Sequence, residues 1–534
     1  MSDSVTGPAG VLTRRRFFEQ LMAVGGVSLA MAGLDALGFG FASAQAAPPV
    51  LSGGAKGAKV VILGAGLAGL TAAYELGKAG YQVTVLEARS FAGGRSQTAR
   101  KGFRHTDLAG NTQVCDFDEG LYINHGPWRI PYHHHSTLHY TKLFGVPLEV
   151  LVNDNDAAYV YFEKGKGALA GKPVRKGQIA ADTRGYAAEL LAKVAGKGDL
   201  DAALSPADRE TFIAYLVNEG RLSKADLAYH GTEGRGFDVA PGAGLDPGPG
   251  KESTPYALTD LLGSGAWRVL TSVAGWEQQR TMFQPVGGMD RIAAGFVKNL
   301  PPDVIRYETV VDRIQQGPKG VTVSFTDAKG AKGAIQADYC LCTIPLSVLK
   351  NIRLDVSKPF LEAMSGVSYA AVNKIGLQMK RRFWEEDHGI YGGHIYTDMA
   401  GINSISLPST GWQGQKGVLL GYYAFGGEAA RISALPPDER AKFALAAGQK
   451  VFPQYAESFE TAFSFCWHLA EHNLGGWAEW SEAGRKSAYP TLLEPDGRLY
   501  LAGEHLSYLT GWQAGAIESA WQQVAKLHAR VQQA

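Results

Sequence analysis

The glycines Gly64, Gly66 and Gly69 form a G-x-G-x-x-G pattern directly after Lys59–Leu63, a short β-branched run that predicts a strand. At a turn from strand to helix, the missing side chains let backbone N–H groups and the helix dipole contact a pyrophosphate. Glu87 ends the next predicted strand, roughly 20 residues further on, where a carboxylate accepts hydrogen bonds from ribose hydroxyls. The spacing predicts a dinucleotide site, and an acid at position 87 argues against a 2′-phosphate.

A second glycine motif, Gly93-Gly94-Arg95, follows the predicted acid. Here the sequence resembles the flavin-containing amine oxidase family, in which this glycine pair and arginine embrace FAD. Three further similarities occur in the family's order. Residues 283–290 read FQPVGGMD, Val311 begins a V-x-x-I element, and residues 500–504 with Gly511-Trp512 resemble the closing signature. The resemblance covers the whole mature chain.

The resemblance implies FAD as the cofactor, held by residues from several separated segments. The implied cofactor-binding residues are Gly64, Ala65, Gly66, Gly69, Glu87, Ala88, Arg89, Gly94, Arg95, Gly126, Pro127, Trp128, Arg129, Val311, Gly503, Glu504, Gly511 and Trp512. A helix that begins near Ala514 would direct its positive end toward a reduced, anionic flavin and favour hydride acceptance.

On the substrate side, residues 126–131 read GPWRIP. This stretch is closely similar to the motif of L-amino acid oxidases whose arginine binds the substrate carboxylate. A planar guanidinium offers paired N–H donors that fit a carboxylate, and a charged group in a dry pocket needs such a partner. Arg129 is therefore the implied carboxylate ligand. The alternative is a structural salt bridge at the head of a helix that starts near His133.

Lys374 lies in the segment NKIGLQMKRRFW and resembles the family's catalytic lysine, which holds a water against flavin N5. The alternative is a solvated surface lysine, because Arg381 and Arg382 indicate that part of the segment is exposed. Trp512 and Trp477 match positions that line the family's substrate pocket, and core packing is the alternative for both.

The sequence departs from L-amino acid oxidases at a second carboxylate ligand, which is often a tyrosine. The corresponding strand, residues 403–407, contains Ser404, Ile405 and Ser406 instead. This ligand is therefore missing, shifted, or replaced by Tyr396, Tyr422 or Tyr423.

The implied reaction is oxidative deamination of an L-amino acid to a 2-oxo acid, ammonia and hydrogen peroxide, with hydride transfer from Cα to flavin N5. Two alternative oxygen-dependent activities remain open: an amino acid 2-monooxygenase, which releases carbon dioxide and an amide, and an amine or polyamine oxidase. A non-enzymatic FAD-dependent binding protein, or a dehydrogenase that passes electrons to a partner, also remains open, and peroxide release without an added acceptor would exclude both. An amino acid and molecular oxygen are the expected partners. The 52 basic and 51 acidic residues give a net charge of +1, which argues against nucleic acid. A homo-oligomer such as a dimer is left open.

A run of histidines, His133, His134 and His135 with His139, invites a metal interpretation. No carboxylate or cysteine accompanies them at a recognisable ligand spacing. We therefore predict no metal, and interpret the run as a helix N-terminus beside the substrate channel.

Strands at both ends and in the middle of the chain predict one discontinuous domain. The fold class is α/β: a discontinuous Rossmann-like FAD-binding domain of the amine oxidase type, a mixed-sheet substrate domain and a helical insertion. The predicted boundaries are 47–106, 285–350 and 485–534 for the FAD-binding domain, 107–165 and 351–484 for the substrate domain, and 166–284 for the helical domain.

The N-terminus resembles a twin-arginine signal peptide. Residues 13–18 read TRRRFF, residues 21–34 are uncharged, and Ala44-Gln45-Ala46 resembles a cleavage site. We expect residues 1–46 to be removed and the protein to be periplasmic or secreted. No later segment is apolar for long enough to span a membrane, so stable membrane insertion is not expected.

Overall fold

A computed structural model describes residues 47–199, 203–244 and 247–533. The predicted signal peptide, residues 1–46, lies outside the described residues. Within the described ranges, no helix combines the length and the apolar character that a membrane span requires. The four cysteines of the chain are all buried and free.

A five-stranded parallel sheet gathers strands from both ends and the middle of the chain. Its spatial order is Ile305–Arg306, Gln82–Leu86, Lys59–Leu63, Tyr339–Cys342 and Leu499–Leu501. The central strands are runs of buried apolar residues, as expected where both faces of a parallel sheet are covered. The discontinuous, Rossmann-like architecture expected from the sequence is confirmed.

Helices cover one face of this sheet and a smaller sheet lies on the other. Leu67–Lys78 packs against the C-terminal helix Gln513–Gln533, and His135–Leu143 and Asp290–Lys298 lie beside them. The opposite side carries a four-stranded sheet and three helices. They are Lys332–Ala337, Gly320–Thr326, Val310–Gly317 and Arg353–Leu354, with Leu346–Leu349, Lys358–Met364 and Glu482–Leu493. The helix expected to start near His133 begins at His135.

A seven-stranded mixed sheet forms the second large layer. Its order is Phe459–Cys466, Val372–Met379, Gly417–Phe425, Ser404–Leu407, Gly393–Thr397, Tyr159–Tyr161 and Pro173–Arg175. The strand pairs are antiparallel except between Gly393–Thr397 and Tyr159–Tyr161. Helices Gly426–Ser433 and Pro437–Val451 pack against this sheet. Pro173–Arg175 joins the sheet although its residues lie in the segment predicted to be helical.

Smaller elements complete the chain. The two-stranded pairs are Leu148–Val152 with Thr281–Pro285, Arg104–Thr106 with Thr112–Val114, Val367–Tyr369 with Ala478–Trp480, and Phe237–Val239 with Lys251–Glu252. The insertion contains the helices Lys176–Gly196, Pro206–Glu219 and Leu258–Ser264 and the 3-10 helix Ala266–Thr271. The remaining short helices are Phe383–Glu386, Tyr455–Ser458, Glu233–Arg235, Trp467–Leu469 and Glu504–Leu506.

Candidate active site

A cleft opens where the strands Lys59–Leu63, Gln82–Leu86 and Tyr339–Cys342 end. It encloses about 1280 Å³ of space free of protein atoms, part of it open to solvent. Its walls include Gly64 and Glu87, which directly follow two of these strands. The carboxyl ends of parallel strands are the usual ligand site in doubly wound sheets.

Glycines let the backbone segments around the cleft approach one another closely. A Cβ at Gly69 would lie 1.9 Å from the Gly64 carbonyl oxygen, and one at Gly126 would lie 1.8 Å from the Arg95 carbonyl oxygen. A Cβ at Gly94, where φ is +59°, would lie 2.9 Å from the Gly66 Cα. Side chains are therefore excluded from these contacts, and the cleft keeps a backbone surface of the kind a pyrophosphate needs.

Charged side chains fix each of the two glycine motifs to a neighbouring segment. Glu87 accepts hydrogen bonds from the backbone N–H of Ala65 at 2.7 Å and of Arg89 at 3.0 Å. Arg95 donates to Glu504 at 2.7 Å, and Glu504 accepts from the Gly511 N–H at 3.1 Å. A glycine-lined cleft with a buried acid at its strand end fits the dinucleotide portion of FAD.

Most of the predicted cofactor residues line this cleft: Gly64, Gly66, Glu87, Ala88, Arg89, Gly94, Arg95, Gly126, Pro127, Val311, Gly503, Glu504, Gly511 and Trp512. Ala65 and Gly69 instead support its wall through the contacts described above. Trp128 and Arg129 follow Pro127 and lie among side chains of the mixed sheet. Sequence reasoning missed Ser96, His125, Thr343, Asn473 and Gln513 as lining residues. Two of these had a usable signal, because Ser96 directly follows Gly93-Gly94-Arg95 and Gln513 directly follows Gly511-Trp512.

The two-stranded pair of Leu148–Val152 and Thr281–Pro285 positions Arg129. Its neighbour Ile130 exchanges two backbone hydrogen bonds with Phe283, at 2.7 and 2.9 Å. Asn153 directly follows the strand Leu148–Val152, and its Oδ1 accepts a hydrogen bond from Arg129 Nη1 at 2.8 Å. The Asn153 amide in turn donates to the Gln279 carbonyl oxygen at 2.8 Å. The Arg129 guanidinium is thus fixed by neutral groups.

A histidine provides the second contact to Arg129. His394 Nε2 lies 3.2 Å from Arg129 Nη1, and His394 Nδ1 lies 2.7 Å from Ser406 Oγ. His394 Nε2 also lies 3.1 Å from Asn153 Oδ1, which can only accept. The contacts therefore fit two neutral tautomers: Nε2 accepts from Arg129, or Nε2–H donates to Asn153. Burial, with Arg129 and Lys176 nearby, lowers the pKa of His394 to about 3, so the imidazole is neutral.

The charge of Arg129 has no acidic partner in the described part of the chain, and the salt-bridge alternative is therefore wrong. Burial lowers the pKa of Arg129, while the nearby Tyr423 and Tyr396 raise it. Of the three tyrosines considered as a second carboxylate ligand, these two lie near the guanidinium. Tyr422 is fully buried on the other side of its strand, where its hydroxyl donates to Asn373 at 3.3 Å.

Lys374 is 2% exposed, so the interpretation as a surface lysine is wrong. It lies in the fully buried strand Val372–Met379, opposite Tyr423 on the neighbouring strand. Its Nζ donates to the Gly126 carbonyl oxygen at 2.5 Å and lies 4.2 Å from the centre of the Tyr423 ring. Burial and the nearby Arg129 hold the pKa of Lys374 well below its usual range.

The exposed stretch inferred from Arg381 and Arg382 is only partly exposed. Arg381 is 38% exposed, but Arg382 is 2% exposed and pairs with Glu385 at 2.6 Å. The sequence alone therefore did not distinguish this buried ion pair from exposed charges.

Aromatic side chains form the wall between the cleft and the mixed sheet. Trp477, Tyr423 and Trp512 line the cleft. The Trp477 ring lies 5.6 Å from Phe425, and His134 meets Trp512 edge to face at 4.9 Å. The two tryptophans expected from the family pattern thus share the cleft with the predicted cofactor residues.

Two histidines of the run lie before the helix and contact a carboxylate. His133 and His134 precede the helix, and Glu277, from a distant segment, lies against both. The prediction of no metal rested on the lack of such a carboxylate, which local spacing could not reveal.

Comparison with known proteins gives a consistent family match. The family model described as flavin containing amine oxidoreductase matches residues 67–528. A putative L-amino-acid oxidase of Bacillus subtilis is 28% identical over 478 residues, which cover 86% of this chain and 92% of that protein. A flavin-dependent L-tryptophan oxidase of Lentzea aerocolonigenes is 28% identical over 504 residues, covering 88% and 98%.

Solved structures resemble the chain in fold. Cyclohexylamine oxidase from Brevibacterium oxydans matches with a TM-score of 0.60 and 18% identity, over 89% of this chain and all of that one. Putrescine oxidase bound to putrescine matches with a TM-score of 0.57 and 18% identity, over 89% and 99%. At such low identity these likenesses define the fold alone.

Proposed function

Because the chain belongs to the family of flavin-containing amine oxidoreductases, we propose that it oxidises an L-amino acid to a 2-oxo acid, ammonia and hydrogen peroxide. The family defines the coarser activity, that of an FAD-dependent oxidoreductase. The substrate class goes beyond it, and the single observation that carries it is the uncompensated charge of Arg129. The L-amino-acid oxidase names of the relatives in Bacillus subtilis and Lentzea aerocolonigenes support the same class.

The argument for a carboxylate substrate is electrostatic. A buried charge is costly unless it is paired, and removing such a group from water costs several kcal/mol. Arg129 is contacted by two neutral side chains, Asn153 and His394, and is partly exposed, so a small ligand can reach it. A substrate carboxylate supplies the missing negative charge with bidentate geometry. A bare amine would bring a second positive charge to the site.

The remaining side chains have separate tasks. FAD supplies the electron acceptor for the substrate Cα–H bond. Arg129 orients the substrate by its carboxylate, while Trp477, Trp512 and Tyr423 exclude water from the reacting face. Lys374 Nζ is the proposed site of proton exchange, because its lowered pKa lets it release a proton more readily than a free lysine.

An amine or polyamine oxidase is one alternative, and it would need no carboxylate ligand. An amino acid 2-monooxygenase is the other, and like the proposed oxidase it would need a carboxylate ligand. Substrate preference separates the first alternative from the proposal, and product analysis separates the second.

The experiment is a panel of L-amino acids, their D-enantiomers and the matched decarboxylated amines, with peroxide, ammonia and carbon dioxide measured for each. We expect equal amounts of peroxide and ammonia from L-amino acids, little carbon dioxide, and poor turnover of amines. Turnover of amines at equal or higher kcat/KM would overturn the carboxylate assignment. Carbon dioxide and amide as the main products would identify a monooxygenase.

We also propose that residues 1–46 direct export by the twin-arginine route, as their sequence pattern indicates. Replacement of Arg14 and Arg15 by lysine should leave the FAD-loaded protein inside the cell. Unchanged export of this double variant would contradict the proposal.

A further inference from the structure

Two histidines and a glutamate that the proposed reaction does not use lie together beside the cleft. His133 and His134 precede the helix His135–Leu143, and Glu277 precedes the strand Thr281–Pro285. One ligand atom from each of the three residues lies within 4.8 Å of the other two. Two imidazoles and a carboxylate form a ligand set that is typical of zinc and similar divalent ions.

The distances are close to those of a coordination site. Glu277 Oε2 lies 3.0 Å from His134 Nε2 and 3.7 Å from His133 Nε2. In a tetrahedral site with metal–ligand distances of about 2.0–2.1 Å, ligand atoms are roughly 3.4 Å apart. Small side-chain rotations would therefore bring all three atoms onto one ion.

An unpartnered buried atom points to the same site. His133 is 5% exposed, and its Nε2 has no hydrogen-bond partner. The Trp276 ring covers this imidazole, with ring centres 3.7 Å apart. A buried ring nitrogen without a hydrogen bond is unfavourable, and a metal ion would satisfy it.

The Nδ1 atom of His133 sets a further requirement for metal binding. The amide of Gln279 lies 3.1 Å from His133 Nδ1, and its oxygen Oε1 is buried and unpartnered. Binding through Nε2 requires Nδ1 to carry the proton and to donate it to an acceptor. Rotation of the Gln279 amide would supply that acceptor, at the cost of the bond it now donates to the Trp276 carbonyl.

We propose that His133, His134 and Glu277 bind one divalent transition-metal ion of the zinc type. Glu277 is 30% exposed, so an ion can reach the cluster from solvent. The ion joins the turn before the helix to the segment that carries Gln279, whose carbonyl accepts from Asn153. Asn153 contacts Arg129, so the ion would also stiffen the support of the guanidinium.

The test uses full-length, FAD-loaded protein without a histidine tag, stripped with a chelator and titrated with Co²⁺ and with Zn²⁺. We expect one ion per chain, a visible Co²⁺ absorption band typical of a four-coordinate site, and displacement of Co²⁺ by Zn²⁺. Neither readout depends on substrate turnover. Absence of a band together with absence of Zn²⁺ binding heat would show that the cluster is only a hydrogen-bonded group.

Matched variants locate the ion. His134→Gln and Glu277→Gln should each weaken Co²⁺ binding by at least roughly tenfold, whereas His135→Gln, in the same run but outside the cluster, should not. Gln279→Glu should tighten binding, because a carboxylate accepts the Nδ1 proton of His133 more strongly. Flavin absorbance and circular dichroism check that each variant is folded. Equal loss in His135→Gln, or full binding by Glu277→Gln, would overturn the proposed ligand set.

Discussion

The glycine-lined cleft and the surroundings of Arg129 are adjacent, but they are built in different ways. In the cleft, the critical contacts join backbone atoms, as between Gly69 and Gly64 or between Gly94 and Gly66. Around Arg129, the contacts join side chains that lie in or directly after separate strands, namely Asn153, His394 and Ser406. A backbone contact tolerates almost no substitution, whereas a side-chain network can be weakened one bond at a time.

The largest expected effect is therefore in the cleft. Gly69→Ala places a Cβ 1.9 Å from the Gly64 carbonyl oxygen, so the helix must move away from the turn that faces the cofactor. We expect little or no FAD-loaded protein, measured as the ratio of flavin to protein absorbance after purification.

Gly77→Ala is the matched control for that substitution. Gly77 lies in the same helix, and a Cβ there would meet no atom within 4 Å. It should retain FAD and gain about 0.5–1 kcal/mol of stability, because alanine loses less backbone entropy in a helix. If Gly69→Ala bound FAD as well as Gly77→Ala, the cleft would not depend on this backbone contact.

The same contrast explains what the sequence could predict. The glycine turn and the strands on either side of it have strong local patterns, and the pairing of Lys59–Leu63 with Gln82–Leu86 confirms the sheet they indicate. Strand Ile305–Arg306 has only two residues and no pattern of its own, and its place at the sheet edge is visible only in the structure.

Arg129 could be selected from a family motif, but its supporting residues could not. Asn153 is a single polar residue after a strand, and His394 meets Ser406 only because their strands pair in that register. Glu277 is 143 residues from His134, so no local spacing connects them. A charged residue is also no proof of an exposed position. Arg382 and Lys374 are both buried, because an ion pair replaces water around Arg382 and backbone acceptors replace it around Lys374.

At the boundary of the two regions, Lys374→Met tests proton exchange. It removes the buried amino group that contacts the Gly126 carbonyl while keeping similar bulk. We expect FAD to remain bound and the return of oxidised flavin absorbance, after mixing reduced enzyme with oxygen, to slow by roughly 100-fold or more. Lys380→Met, at the exposed position after the same strand, is the control. Identical stopped-flow traces for Lys374→Met and the parent would remove the proposed role.

Within the side-chain network, Arg129→Ala should affect substrate binding more than FAD content. Loss of a charged hydrogen-bond partner costs about 1.5–3 kcal/mol, which corresponds to a rise in KM of roughly 10- to 150-fold. Arg129→Lys should recover only part of this loss, since an ammonium cannot reproduce the paired geometry. Arg381→Ala, on the surface, should leave KM unchanged. An unchanged KM for Arg129→Ala would refute the carboxylate contact.

The last expected effect concerns stability rather than turnover, because the buried neutral His394 makes the folded protein sensitive to acid. Its pKa is about 3 in the folded protein, lowered by burial and by Arg129 and Lys176, and near 6.5 when unfolded. Between these values the unfolded chain binds a proton that the folded protein does not. Stability therefore falls as pH decreases from about 6.5 toward 3, by at most about 1.4 kcal/mol per pH unit for this group.

His394→Gln removes that protonation, so its thermal midpoint should fall less than the parent's between pH 6.5 and pH 5, measured at one scan rate. The decrease should not vanish, because burial also lowers the pKa of His105 and of His505 to about 4. His230→Gln, whose imidazole is 65% exposed, is the control and should follow the parent. If His394→Gln lost as much stability in acid as the parent, the imidazole beside Arg129 would not be kept neutral by the folded protein.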